Sequence, residues 1–318
     1  MILDGKEKAY SKMEDSLQIS NSNDLSNGVP TGTNVNKLPV KLKSPLRYPG
    51  GKSKALKNIL PYIPLNFSEY REPFLGGGSV FIAIRQLYPQ ATYKLNDANY
   101  DLYCFWTSLK KNSDNFVNEI LEIKKKTKDG KALFKKLSIK PLDSDEFYRG
   151  IRFYILNRIT YSGAVGNGGF SAESFEKRFT ITNIDRLKPL SILLQTVNIT
   201  NDSYEEHLLK TGKNVFAFMD PPYLSSMKNG LYGYKGNLHK SFDHFHFAEE
   251  VRKCKHKWLI TLDDSIEIRN MFGFANGSKR WKLYYGMTNA GNNIPCKGKE
   301  LLLSNYRLRK QSSSKIKI

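Results

Sequence analysis

Between residues 43 and 309, short apolar runs alternate with stretches of helical periodicity, the pattern of an α/β sheet. The runs 70–74, 92–96, 215–219, 258–262 and 300–306 are predicted strands. Val80, Phe81, Ile84 and Leu87 recur at helical spacing directly after the first run and its glycines, which predicts a strand–loop–helix unit. From about Trp106 to Gln195 the alternation stops. There the chain turns lysine-rich and mainly helical, then passes through the glycine-punctuated stretch 161–170. The expected organisation is a doubly wound α/β core made of 43–105 and 196–309, interrupted by a mainly helical insertion at 106–195. Residues 1–42 are rich in Ser, Asn, Asp, Gly and Lys and lack apolar periodicity, so they are expected to form a disordered polar tail; 310–318 is a short basic one.

Charge narrows the function. Fifty Lys and Arg against thirty Asp and Glu leave +20, which points to a polyanion such as DNA, RNA or an anionic membrane surface. No run approaches the ~18 apolar residues of a spanning helix, so no membrane role is expected. Asp4, Lys6 and Glu7 stand where an export signal would be apolar, and a cytoplasmic protein is expected. Cys104, Cys254 and Cys296 are scattered without a CxxC spacing, which argues against a disulfide scaffold and a zinc finger. The lysines at 124, 125, 126, 128, 131, 135, 136 and 140 form either a solvated helical face or a phosphate-contacting surface.

Three segments carry candidate chemistry. Asp220-Pro221-Pro222-Tyr223 follows the apolar run 215–219. Paired prolines continue neither a ladder nor a helix, so they set a rigid turn at the carboxyl end of a strand, the edge where α/β sheets bind ligands. A carboxylate and a prolyl carbonyl there can accept both hydrogens of a planar amino group and free its lone pair, while the aromatic stacks on the ring that bears it. Glu72-Pro73-Phe74-Leu75-Gly76-Gly77-Gly78-Ser79 is a second strand-end loop that opens a helix, and Asn96-Asp97 ends the next strand, where an acid can bind ribose hydroxyls. Phe81 stands where a dinucleotide fingerprint needs its third glycine. Gly51-Lys52-Ser53 resembles the end of a phosphate loop, but Leu46 and Pro49 break that motif, which disfavours a nucleoside triphosphatase.

Taken together, these segments resemble the DNA adenine methylases, the Dam-type N6-adenine methyltransferases that use S-adenosylmethionine. The likeness runs from about Leu46 to Tyr306 in that family's order. It implies a Rossmann-like methyltransferase core whose catalytic residues are Asp220, Pro221, Pro222 and Tyr223. The cofactor residues it implies are Tyr48 and Lys52, then Glu72, Pro73, Phe74, Gly76, Gly78 and Ser79 of the loop, with Asp97 on the ribose. Asp202 and Ser203 are implied near the cofactor's adenine, and Asp220 touches the cofactor as well. Lys299–Leu302 with Ser304–Tyr306 resembles the closing strand.

The insertion is expected to be the target-recognition unit. Tyr154–Arg158 and Tyr161–Gly163 resemble its start, whereas 164–178 departs from the members that read GATC, so no target sequence carries over. Arg158, Tyr161 and the residues around Asn167 to Phe170 are candidate DNA contacts, with a glycine-rich surface loop as the alternative, and Lys124 and Lys126 are candidates from the lysine run. Phe242, Phe245 and Phe247 are expected in the core. Asp263-Asp264 is expected to line the cleft, and Tyr232, Tyr234 and Lys235 to lie in a loop over an extruded base. His244 and His246 lack a third ligand nearby, and no metal is expected. The expectation is a site-specific methylase of double-stranded DNA that flips its target base, as a monomer or weak dimer, with a possible cognate restriction endonuclease. An N4-cytosine methylase and a catalytically inactive DNA-binding relative are the alternatives.

Overall fold

Strands β1 (Glu69–Glu72), β2 (Thr92–Asn96), β3 (Val197–Thr200), β4 (Val215–Met219), β5 (Lys257–Asp263), β6 (Gly277–Thr288) and β7 (Pro295–Ser304) form one sheet in the order β3-β2-β1-β4-β5-β7-β6. The structure, a computed structural model, describes residues 42–139, 145–166, 168–224, 242–288 and 295–311, and only the backbone of 283–288 and 295–297. Most of residues 1–42 and 310–318, Asn167, and the expected loop residues Tyr232, Tyr234 and Lys235 lie outside the described residues. Strands β1 to β5 pair in parallel, and β7 enters antiparallel between β5 and β6.

Apolar side chains cover both faces. Along β4 the alternation of a strand sends Phe216 and Phe218 into one buried cluster and Ala217 and Met219 into the other. Strand β7 divides likewise, with Leu302 on the first face and Leu301 and Leu303 on the second. This double coverage makes the central strands continuously hydrophobic. The chain builds outward from β1 through β2 to β3, then restarts at β4 beside β1 and continues to β5. The switch point therefore opens between β1 and β4, at the ends that carry Glu72 and Asp220.

The helices are α1 (Ser79–Leu87), α2 (Tyr100–Lys111), α3 (Ser113–Lys126), α4 (Gly130–Ser138), α5 (Glu146–Ile159), α6 (Ala172–Arg178), α7 (Ile181–Asp185), α8 (Leu187–Leu194), α9 (Tyr204–Leu209), α10 (His244–Lys253) and α11 (Ile266–Met271), with a short helical stretch over 52–62 before them. Helices α2 to α8 span the lysine-rich segment, and position 106 falls inside α2. Trp106, Phe116 and Tyr154 of the segment share a cluster with Phe216 and Phe218, so it extends the core on one face of the sheet. No described helix is long and apolar enough to cross a membrane.

Candidate active site

The loop between β1 and α1 is shaped by its own residues. Pro73 has no N–H for the ladder, and β1 ends at Glu72. Gly76 (φ +49°) and Gly78 (φ +65°) are left-handed, which glycine adopts without strain. Leu75 N–H donates to the Asn96 carbonyl at 2.9 Å, and Gly76 N–H to Asp97 Oδ2 at 2.7 Å. The other Asp97 oxygen accepts from Asn99 N–H at 2.9 Å. Aromatic rings press the loop from two sides. A Cβ on Gly76 would lie 3.1 Å from the Tyr48 ring, and one on Gly78 would lie 2.9 Å from Trp106, whose indole N–H donates to the Gly76 carbonyl at 3.2 Å. Ser79 Oγ lies 2.8 Å from Ser53 Oγ, which joins the loop to the amino-terminal segment.

Asn96 couples this loop to the end of β3. Its amide donates to the carbonyls of Pro73 (3.2 Å) and Asp202 (3.0 Å), and its oxygen accepts from Asp202 N–H (2.8 Å) and the Thr200 hydroxyl (2.8 Å). Phe74 packs against Tyr204, Phe242 and Phe247 at ring separations of 5.3 to 5.8 Å, which holds α9 and α10 to the loop. Phe245, expected with them in the core, is 65% exposed: it sits on the outer face of α10, where the helical period turns it away from Phe247. Asp202 and Ser203 are exposed just before α9, reached from the loop through Asn96.

At the end of β4, Asp220 Oδ1 lies 2.7 Å from Lys52 Nζ and accepts from the Thr261 hydroxyl at 2.7 Å. Lys52, only 3% exposed, also donates to the Gly50 carbonyl and stands 4.7 Å from the centre of the Tyr223 ring. The Tyr223 hydroxyl donates to Glu300 Oε2 at 2.6 Å. The His244 Nε2–H donates to the Pro222 carbonyl at 2.8 Å, and Leu224 N–H to Asp263 at 3.0 Å, so the double-proline turn is held from α10 and β5. Motifs distant along the chain thus meet at one strand edge.

Burial dominates the electrostatics of this edge. It holds the Glu72 carboxyl well above the ordinary range. Asp220 and Asp97 push it the same way, and the Tyr70 hydroxyl, 2.5 Å from Glu72, opposes. Asp97 is raised by burial to about 6, against its two backbone donors. Glu300 is raised by burial to about 7, with Asp220 and Asp263 adding and Lys52 and Tyr223 opposing. Burial thus favours the neutral form of these acids, and a cation or hydroxyl and amino donors set against them would draw them toward the ionised form.

The DNA candidates lie elsewhere. Lys124 and Lys126 are on α3; Lys124 is half-buried, 4.3 Å from the Phe175 ring, and Lys126 is 78% exposed, 3.5 Å from Glu122. Tyr161 is exposed. Arg158 is buried and donates to the Pro45 carbonyl, so it fastens α5 to the amino-terminal segment and presents little surface to a phosphate. The residues that sequence reasoning missed are Trp106, Thr261 and His244, together with the bracing roles of Asn96 and Glu300. A strand-end Asn and a Glu directly before the apolar run of β7 were the only signals.

A mostly parallel sheet with an acid-lined switch point, a glycine loop held by an aspartate and an Asp-Pro-Pro-Tyr corner make an α/β protein whose candidate site lies at the carboxyl ends of β1 and β4. The chain belongs to the D12 class N6 adenine-specific DNA methyltransferases, whose family model matches residues 48–285. It is a DNA methyltransferase acting on adenine. It is 26% identical to the type II methyltransferase M.MjaIII of Methanocaldococcus jannaschii, over 84% of this chain and 100% of that protein. It is 24% identical to the type II methyltransferase M.CviBI of Paramecium bursaria Chlorella virus NC1A, over 73% of this chain and 86% of that one. Modification methylase StsI of Streptococcus sanguinis is 26% identical over 84% of this chain and 43% of its own length.

Proposed function

We propose that the methyl donor is S-adenosylmethionine, and that Asp220, Pro221, Pro222 and Tyr223 receive an adenine extruded from double-stranded DNA. The observation that carries this reading is the junction of Lys52, Asp220 and Tyr223 beside a glycine loop hydrogen-bonded to Asp97. The donor set fits the cofactor: Glu72, Asp97 and Asp220 offer acceptors to a cation and to ribose hydroxyls, and the exposed Asp202 and Ser203 edge would border its adenine. S-adenosylmethionine, when bound, supplies an activated methyl group, so the protein's task is alignment.

In this reading Asp220 and the Pro221 carbonyl accept the two N6 hydrogens, and Tyr223 stacks on the ring. Thr261 and Lys52 orient the Asp220 carboxylate beforehand. Extrusion costs a few kcal/mol, offset by basic side chains on the DNA backbone, and the helical segment 106–195 reads the site. The relatives are called type II methyltransferases and a modification methylase, and on that footing we pair this protein with a restriction endonuclease of the same site.

Asp220→Ala tests the reading. Nucleoside mass analysis of treated DNA should find N6-methyladenine with the native protein and a loss of about 10²–10³ in rate with the variant. Removing the acid leaves Lys52 buried without that partner, so Asp220→Asn, which keeps an acceptor oxygen, serves as the folded companion. Near-native turnover by both variants, or N4-methylcytosine as the product, overturns the assignment.

A further inference from the structure

Stacking on a base requires only the ring of Tyr223, yet its hydroxyl is engaged as well. It donates to Glu300 Oε2 at 2.6 Å, and Glu300 is 1% exposed on β7. That strand runs antiparallel to β5, which brings its earlier residues to the edge where the tetrad leaves β4. Glu300 faces Asp263 of β5 on one side and Trp281 of β6 on the other, so two ladders fix its backbone. A carboxylate costs free energy to bury unless charge and hydrogen bonds compensate it. Here Lys52 and the tyrosine hydroxyl itself offset part of that cost. Since Lys52 also binds Asp220, the two ends of the tetrad share one cation.

We propose that Glu300 is a positioning residue for methyl transfer: by accepting the Tyr223 hydroxyl it sets the plane and depth at which the target adenine stacks. This inference rests on the reading of Tyr223 given above. Its test is a double-mutant cycle in single-turnover methylation, using Glu300→Ala, Glu300→Gln, Tyr223→Phe and the double variant Tyr223→Phe/Glu300→Ala. The expected result is about a tenfold loss for Glu300→Ala and for Tyr223→Phe, and no further loss in the double variant. Affinity for the methyl donor stays unchanged, and Glu300→Gln, which keeps an acceptor oxygen, recovers most of the rate. Losses that multiply, or a Glu300→Ala rate equal to native, overturn the proposal. Where the alanine variant does not fold, Glu300→Asp draws the oxygen back by one methylene and runs the same cycle with the charge retained. The tetrad reading itself stands or falls on Asp220→Ala, which this cycle does not contain.

Discussion

Single buried ionisable groups set the behaviour of the strand edge. Glu300 has a raised pKa near 7, so the folded protein binds its proton more tightly than the unfolded chain does. The stability this contributes is complete below the unfolded value, near 4.5, and declines as pH rises through about 7. The amount is at most about 3 kcal/mol. Glu300→Gln removes the titration. Melting curves from about pH 5 to about pH 8 should then show the variant gaining on the native protein as pH rises; a constant gap refutes the idea. Backbone strain gives a second residue-level prediction. Gly78→Ala places a Cβ 2.9 Å from Trp106 at φ +65°. A loss of about 1–2 kcal/mol is expected from the left-handed conformation alone. Displacement of Trp106 should also weaken donor binding, which a titration alongside the melt would register.

Elements are joined at this site by side chains whose importance lies in tertiary geometry. Asn96 is 1% exposed and makes four hydrogen bonds that tie the β1 loop to the end of β3. Asn96→Leu is expected to cost about 2–4 kcal/mol, since it strands buried partners, and to reduce donor affinity by loosening both loops; thermal midpoint and titration check the two effects. Asn157 plays a similar part between α5 and the segment carrying Tyr48 and Lys52. It accepts from Arg47 N–H and donates to the Arg47 and Gly163 carbonyls. None of these links is legible along the chain. Strands β2 and β4 coincide with apolar runs bounded by turn residues, so their limits could be read directly. Strand β3 could not, because its four residues follow the apolar run of α8 after only Gln195 and Thr196. Strand β6 escaped for the opposite reason: as an edge strand it exposes Lys279, Arg280 and Lys282 and lacks an apolar signature. The motif residues were visible, but the pairing of Lys52 with Asp220 and of Tyr223 with Glu300 belongs to the sheet order.

Over the whole molecule the excess of +20 sets a field that favours the DNA phosphates, but individual lysines divide between fold and ligand. Lys124 is half-buried, 4.3 Å from the Phe175 ring and 5.3 Å from that of Phe179, and burial lowers its pKa. Its charge is spent on packing α3 against α6. Lys126 is 78% exposed and only loosely attached to Glu122, an exposed pair of little energetic weight. Two lysines two residues apart should therefore respond differently to neutralisation. Lys124→Gln is expected to lower stability by about 1 kcal/mol, through loss of the cation–π contacts, while leaving the salt dependence of DNA binding unchanged. Lys126→Gln should leave the melting temperature in place. If Lys126 meets a phosphate, the slope of log affinity against log salt becomes shallower by about 0.9. Fluorescence anisotropy with a labelled duplex across a salt series, paired with melting curves, separates the two. An unchanged slope in Lys126→Gln would assign α3 to the solvated surface and move the phosphate contacts to other parts of the helical segment.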